Sequence, residues 1–116
     1  MGAVPYLRTF PLRSLLDRGV CVCISSDGPC AADDPLHNIR RAVDRKKPDG
    51  SVLDPEERIS EVQALAAGTL GASSSLGLKN DGLSEGATAT FCVVDGDPFC
   101  ESSRVVQTWI EGERVY

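Results

Sequence analysis

Asp27 is the side chain in this sequence best placed to do chemistry. It follows residues 20–25 (VCVCIS), an almost unbroken apolar run of strand length, which Ser26-Asp27-Gly28-Pro29 then ends. In α/β proteins, catalytic groups collect at the C-terminal ends of such strands. A carboxylate at that position could bind a metal or accept a proton from water. Ser-Asp-Gly-Pro is also ordinary turn chemistry, so an aspartate that only supports a turn remains the alternative.

Other candidate ligands and nucleophiles do not form a site. His37 is the single histidine, and neither H-x-H nor H-E-x-x-H is present, whereas a catalytic zinc usually takes three protein ligands. We expect His37 at the surface near a helix start. A loop position accounts for Asp33 and a helix cap for Asp34. The sequence also lacks G-x-S-x-G, P-loop and G-x-G-x-x-G motifs. A complete metal site cannot be assembled from this chain alone.

The cysteines indicate the redox compartment. There are five, an odd number, without a C-x-x-C pair. Cys21 and Cys23 lie two apart in the apolar run and so share one face of a strand. We interpret the cysteines as buried, reduced thiols of a cytoplasmic protein, because a disulfide framework favours an even count and a secretory signal. The N-terminal residues show no signal-peptide pattern, and no apolar run has the length of a bilayer span.

Charge limits the class of partner. The net charge is −5, and the basic residues form no long run, which argues against nucleic acid or an anionic membrane as the main partner. The densest basic stretch lies within residues 40–47, and we predict that it is the solvated face and end of a helix. Apolar residues make up 41% of the chain and aromatic residues 5%, so aliphatic side chains must build any core.

Local patterns place the elements around Asp27. Apolar spacing and caps predict a short helix before the apolar run and two after it, one beginning at Asp34-Pro35 and one at Ser60 with the capping box Ser60/Gln63. Residues 71–76 add a further helical turn. Residues 88–94 and 105–110 are strand candidates, and Glu111-Gly112 is a tight hairpin turn. Asp81-Gly82, Glu85-Gly86 and residues 95–98 are predicted turns.

This layout is unusual for an independent domain. The run at residues 20–25 does not alternate, so it predicts a strand buried on both faces, as in a parallel sheet covered by helices. No second strand of that kind occurs in the chain. A lone buried strand would leave its backbone N–H and C=O groups unpaired. The sequence therefore indicates that neighbouring strands are missing.

Three stretches, in order, resemble the end of the amidohydrolase superfamily, specifically its family 3 branch. The first runs from Phe10 through the Ser26-Asp27-Gly28-Pro29 turn to Arg45, the second covers residues 64–72, and the third covers residues 82–98 together with the closing hairpin. Each motif is weak by itself, but their order and spacing are fairly specific. The resemblance covers nearly the whole chain from about Phe10.

The resemblance implies an α/β fold: the C-terminal portion of a (β/α)8 barrel, with its last strand and helices, followed by a small β unit of the flanking β-sandwich domain. Residues 1–78 would end the barrel domain, and residues 79–116 would belong to the sandwich. The implied activity is metal-dependent hydrolysis of non-peptide C–N bonds in a small-molecule amide or cyclic amide. Asp27 would ligate a divalent metal, zinc by the resemblance, and act as general base toward the attacking water.

The chain also departs from the family pattern. The H-x-H of the first strand, the bridging carboxylate and the two later histidines of the family have no counterpart here. We therefore expect the chain alone to bind no metal and to be inactive. The alternative is a non-catalytic remnant or interaction module that pairs its exposed strand with another chain or dimerises through its buried face. The sequence names neither the substrate nor the oligomeric state, and it leaves open whether Met1 is the natural start.

Overall fold

The computed structural model describes residues 8–30, 33–79 and 82–116. Within them the chain is mixed α/β, with short helices followed by a small antiparallel sheet. The elements are α1 (Leu12–Leu16), α2 (Pro35–Asp44), a 3₁₀ turn (Pro55–Glu57), α3 (Glu61–Gly68), α4 (Leu70–Ser75), β1 (Phe91–Val94), β2 (Val105–Ile110) and β3 (Glu113–Arg114). Across these ranges no helix is both long and apolar enough to cross a membrane.

The predicted helix starts are confirmed. Asp34 caps α2 by accepting a hydrogen bond from the Leu36 N–H at 2.9 Å, and Pro35 occupies the first helical position. The capping box of α3 is complete, since Ser60 accepts from the Gln63 N–H while the Gln63 side chain accepts from the Ser60 N–H. These local contacts fix where the two helices begin, whatever surrounds them.

The core lies where α2 packs against α3. Ile39, Ala42, Ile59 and Ala64 are buried together, and partly buried apolar side chains from α1, the apolar run and the C-terminal region surround them. Phe99 is among these, so the part that follows the helices contributes to the same core.

The sheet has the order β1-β2-β3 with antiparallel pairing, and Phe91 stacks on its cross-strand partner Trp109 with ring centroids 5.9 Å apart. Glu111 and Gly112 connect β2 to β3 with φ values of 50° and 84°. Two consecutive positive φ angles are the geometry of a type I′ hairpin turn, which confirms the predicted hairpin.

The predicted turn at Glu85-Gly86 is also present, whereas Asp81 lies outside the described residues.

The apolar run differs from its prediction. Residues 20–26 form neither a helix nor a strand, and within the described chain they join no sheet. Their exposure alternates: Val22, Ile24 and Ser26 are half-buried, while Cys21, Cys23 and Ser25 are exposed. The prediction of a strand buried on both faces is therefore wrong for this chain, because helices cover one face and nothing described covers the other. We call residues 20–26 the open segment.

The backbone of α4 packs directly against the backbone of the open segment at Gly71. A Cβ atom added at Gly71 would lie 2.3 Å from the Val22 carbonyl oxygen, a backbone atom. We therefore expect Gly71→Ala to lower the free energy of unfolding by about 1–3 kcal/mol, because the two backbones must separate. Urea unfolding of the purified chain measures this.

Gly68→Ala is the matched control. Its added methyl group would meet only side-chain atoms of Ile39, which can shift at lower cost than a backbone carbonyl. An equal or larger loss for Gly68→Ala than for Gly71→Ala would contradict the close backbone approach.

Candidate functional site

Asp27 lies in an exposed turn at the C-terminal end of the open segment. Its carbonyl accepts the Cys30 N–H at 2.9 Å, and its own N–H donates to the Ser25 hydroxyl at 3.3 Å. The Asp27 backbone has φ 50°, a region that non-glycine residues seldom adopt. The turn thus presents the Asp27 carboxylate to solvent beyond the end of the open segment. The turn interpretation and the catalytic interpretation are both compatible with this geometry.

A cavity of about 590 Å³ adjoins Asp27. One wall is apolar, from α1, the open segment and α2, and the other carries polar groups. The lining residues used below are Phe10, Leu12, Ile24, Asp27, Asn38, Arg41 and Ala42. This volume falls within the range of ligand pockets for small molecules.

Among the described residues, the one cation that lines this cavity is already paired. The Arg41 guanidinium hydrogen-bonds to the Glu101 carboxylate and lies 3.1 Å from that of Asp44. With both carboxylates beside it, Arg41 brings little net positive charge to the cavity. The described lining therefore offers no unopposed positive charge with which to hold an anionic ligand.

Three buried charged residues hold the chain segment that leads into α1. Arg45, Asp54 and Glu57 are exposed by only 6%, 5% and 0%. Arg45 donates to the carbonyls of Thr9 and Phe10. Asp54 accepts the Thr9 N–H at 2.8 Å. We call these three residues the clamp.

Glu57 is the fully buried carboxylate of the clamp. Its carboxylate accepts the Ser14 N–H at 2.9 Å, the Ser14 hydroxyl at 2.5 Å and the Arg8 guanidinium at 2.6 Å. Ser14 lies in the first turn of α1, so Glu57 caps that helix from 43 residues away. The Ser14 hydrogen bonds, followed by that of Arg8, lower the pKa of the Glu57 carboxyl to about 2.

The prediction that the basic stretch is solvated is wrong for two of its members. Arg40 is exposed by 5% and Arg45 by 6%. Arg40 donates to the Pro98 carbonyl at 2.8 Å and to the Ser103 carbonyl at 2.7 Å. Backbone carbonyls outside α2 thus replace water around both guanidinium groups, which makes burial of a cation tolerable.

The prediction that the cysteines are buried is also wrong, because all five are free and exposed. Cys21 and Cys23 lie on the uncovered face of the open segment, which explains their exposure. A hydrogen bond with Ser102 lowers the pKa of the Cys100 thiol. His37, predicted at the surface, is half-buried in α2.

These residues do not assemble a metal centre. Among the described ranges, no group of three or more His, Cys, Asp or Glu side chains is placed to hold a metal ion. Asp27 is exposed, and among the described residues it belongs to no group of three or more candidate ligands. The described residues therefore do not hold a resident metal by themselves.

Sequence reasoning did not find the clamp. Glu57 and Asp54 lie in an acidic, proline-containing stretch that is typical of an exposed loop, and their partners lie more than 40 residues away. The one local indication was Pro55, which opens the 3₁₀ turn and brings Asp54 and Glu57 to the same side of the chain.

Comparison with known proteins identifies the family. The sequence profile of the amidohydrolase family matches residues 2–116. The chain is 32% identical to N-substituted formamide deformylase of Arthrobacter pascens, over 96% of this chain and 22% of that protein. It is 33% identical to Protein LONG AFTER FAR-RED 3 of Arabidopsis thaliana, over 93% of this chain and 20% of that protein. No solved structure matches significantly.

The chain thus spans about a fifth of the length of the curated relatives it matches. The match nevertheless extends over almost the whole chain, including the open segment, the Asp27 turn and the small sheet. The family resemblance seen in the sequence is confirmed, and the chain belongs to the amidohydrolase family, in its family 3 branch.

Proposed function

We propose that this chain is the C-terminal portion of a metal-dependent amidohydrolase that cleaves non-peptide C–N bonds in amides or cyclic amides. The observation that carries the proposal is the position of Asp27, exposed in a turn with φ 50° at the C-terminal end of the open segment and beside a cavity. N-substituted formamides are the first substrates to try, because one relative is a deformylase named for them.

The division of the chain forms part of this proposal. Residues 1–78 would close a (β/α)8 barrel, with the open segment as its last strand, and residues 79–116 would belong to a flanking β-sandwich. The uncovered face of the open segment supports this assignment, because a barrel strand is covered by helices outside and by other strands' side chains inside. Helices cover one face here, as the outer ring of a barrel would.

Asp27 has two roles in the proposal. Its carboxylate is one ligand of the divalent metal, which the family resemblance suggests is zinc, and it accepts the proton of the attacking water. When bound, the metal would acidify that water and polarise the scissile carbonyl. The remaining ligands must come from residues outside this chain, so no further step follows from the described side chains.

The proposal is tested by expressing two proteins in parallel: the 116-residue chain and the product of the longest reading frame that contains it. We expect the longer product to bind metal and to hydrolyse N-substituted formamides, N-acyl amines or cyclic amides, and the short chain to do neither. Elemental analysis and amine release measure the two properties. A stop codon closely upstream, or a longer product without metal and activity, would contradict the proposal.

The second candidate function is a non-catalytic remnant or interaction module. The open segment favours it, since this stretch joins no sheet within the described chain and exposes apolar side chains, and such an edge can add a strand from another chain. Light scattering on the purified chain separates the two candidates. Concentration-dependent dimers would favour the module, and a monodisperse monomer would count against it.

A further inference from the structure

Phe10 is a large, exposed apolar side chain that lies near Asp27. It is 70% exposed, although it directly precedes the helical segment that packs on the core. Its backbone has φ 50°, a conformation that an aromatic residue rarely adopts and that needs support from its surroundings.

The clamp supplies that support. The Phe10 carbonyl accepts hydrogen bonds from the Arg45 guanidinium at 3.1 Å and from the Leu12 N–H at 2.8 Å. Thr9 is held on both sides, by Asp54 at its N–H and by Arg45 at its carbonyl. A strained backbone is therefore fixed by buried charges while its ring stays in solvent.

Phe10 and Asp27 line the same cavity of about 590 Å³. They come from two different turns, and both have φ near 50°. Strained residues persist where the surrounding structure determines their conformation, and they cluster at ligand sites. The cavity brings together the two strained turns at the same end of the open segment.

We propose that Phe10 is a specificity-determining residue whose ring binds the apolar alkyl or aryl substituent of an amide held beside Asp27. This inference rests on the proposed function, because it assigns the substrate class of that same site. The clamp orients the ring, and Phe10 itself takes no part in proton transfer.

The lining of the cavity defines the chemistry of this substituent. Leu12, Ile24 and Ala42 form the apolar wall beside Phe10. Arg41 is neutralised by Glu101 and Asp44, so a carboxylate or phosphate substituent would find no unopposed cation in the described lining. Asn38 adds an uncharged amide that can hydrogen-bond to the amide group of the ligand. An uncharged N-alkyl or N-aryl amide therefore matches this lining better than an acidic one.

The test measures binding to the 116-residue chain, so it does not depend on metal or turnover. N-Benzylacetamide is titrated into the ¹⁵N-labelled chain, with acetamide and N-acetylglycine as comparison ligands. We expect saturable chemical-shift changes at Phe10, Asp27 and Ala42 with N-benzylacetamide only. We expect Phe10→Ala to weaken that binding about fivefold, the scale of one aromatic contact, and Phe10→Leu to restore part of it.

Leu83→Ala is the matched control, because Leu83 is an apolar side chain exposed by 84% that does not line this cavity. It should leave the dissociation constant unchanged. Equal binding by wild type and Phe10→Ala, or absence of shifts at these residues, would overturn the inference.

Hydrolysis by the longer product separates this inference from the proposed function. If the chain binds N-benzylacetamide at Phe10 but the longer product hydrolyses no amide, the pocket stands and the proposed function fails. If amides are hydrolysed with the same substituent preference after Phe10→Ala, the proposed function stands and the specificity role fails.

Discussion

Asp27→Asn in the longer product is expected to reduce kcat for amide hydrolysis about a thousandfold, the middle of the range for loss of a general base. Asparagine keeps the size of the side chain and can occupy the same turn, but it cannot accept the proton of the attacking water. Because Asp27 is exposed, the substitution should leave the unfolding midpoint within the error of the measurement. Initial rates and circular dichroism on the same preparations test both statements.

Asp17→Asn is the matched control for that substitution. Asp17 is also exposed and follows α1, on the other side of the open segment along the chain. Its replacement should change neither rate nor stability. A fully active Asp27→Asn protein would remove Asp27 from the catalytic assignment and leave it as a turn residue.

Glu57→Gln is expected to cause the largest loss of stability of any single substitution described above. The amide keeps the shape, but its NH₂ group must face the donors Arg8, Ser14 N–H and Ser14 hydroxyl, which the carboxylate now satisfies. Removing one partner from a buried, hydrogen-bonded charge is costly, because the remaining groups stay desolvated. We expect the melting temperature of the chain to fall by roughly ten degrees.

The pH dependence of stability provides an independent measurement of the same contact. The pKa of Glu57 is lowered from 4.5 to about 2 by its hydrogen bonds with Ser14 and then Arg8. Its ionised form therefore stabilises the fold fully above pH 4.5, and that contribution is lost as the pH falls toward 2. The wild-type chain should lose stability through this window, and Glu57→Gln should show a flatter profile.

Glu56→Gln controls for general charge effects. Glu56 is adjacent in sequence and 45% exposed, and it lies 3.6 Å from the same arginine. An exposed ion pair of this kind contributes little, so its removal should shift the melting temperature only slightly. Similar losses for the two variants would mean that Glu57 has no special role in the clamp.

The parts of the fold that the sequence predicted well are those determined by neighbouring residues. Asp34 and Ser60 cap their helices through partners two and three residues away, and Glu111-Gly112 sets its hairpin through backbone conformation alone. Such contacts are visible in a short window of sequence. Their boundaries agree with the structure for that reason.

The parts that sequence reasoning missed depend on distant partners. Arg40 and Arg45 were expected in solvent and Glu57 was not singled out, but the partners of these three include residues between 35 and 63 positions away. A short window of sequence around each residue does not contain these acceptors and donors. The proposed site shows the same division: the local pattern predicts the turn at Asp27, whereas Phe10 is placed beside it only by the fold, which brings both to one cavity.

The contacts of Arg40 predict that the helical part of this protein is not stable when it is expressed without the C-terminal part. The buried guanidinium of Arg40 is solvated by two backbone carbonyls of the 98–103 loop, on the far side of the proposed boundary after residue 78. A truncation there would remove both carbonyl acceptors of Arg40, and the face of α2 that they cover would become exposed. Expression of residues 1–78 alone should therefore yield protease-sensitive material. The 98–103 loop covers Arg40 on α2, so the C-terminal part is needed for the helical part to stay folded.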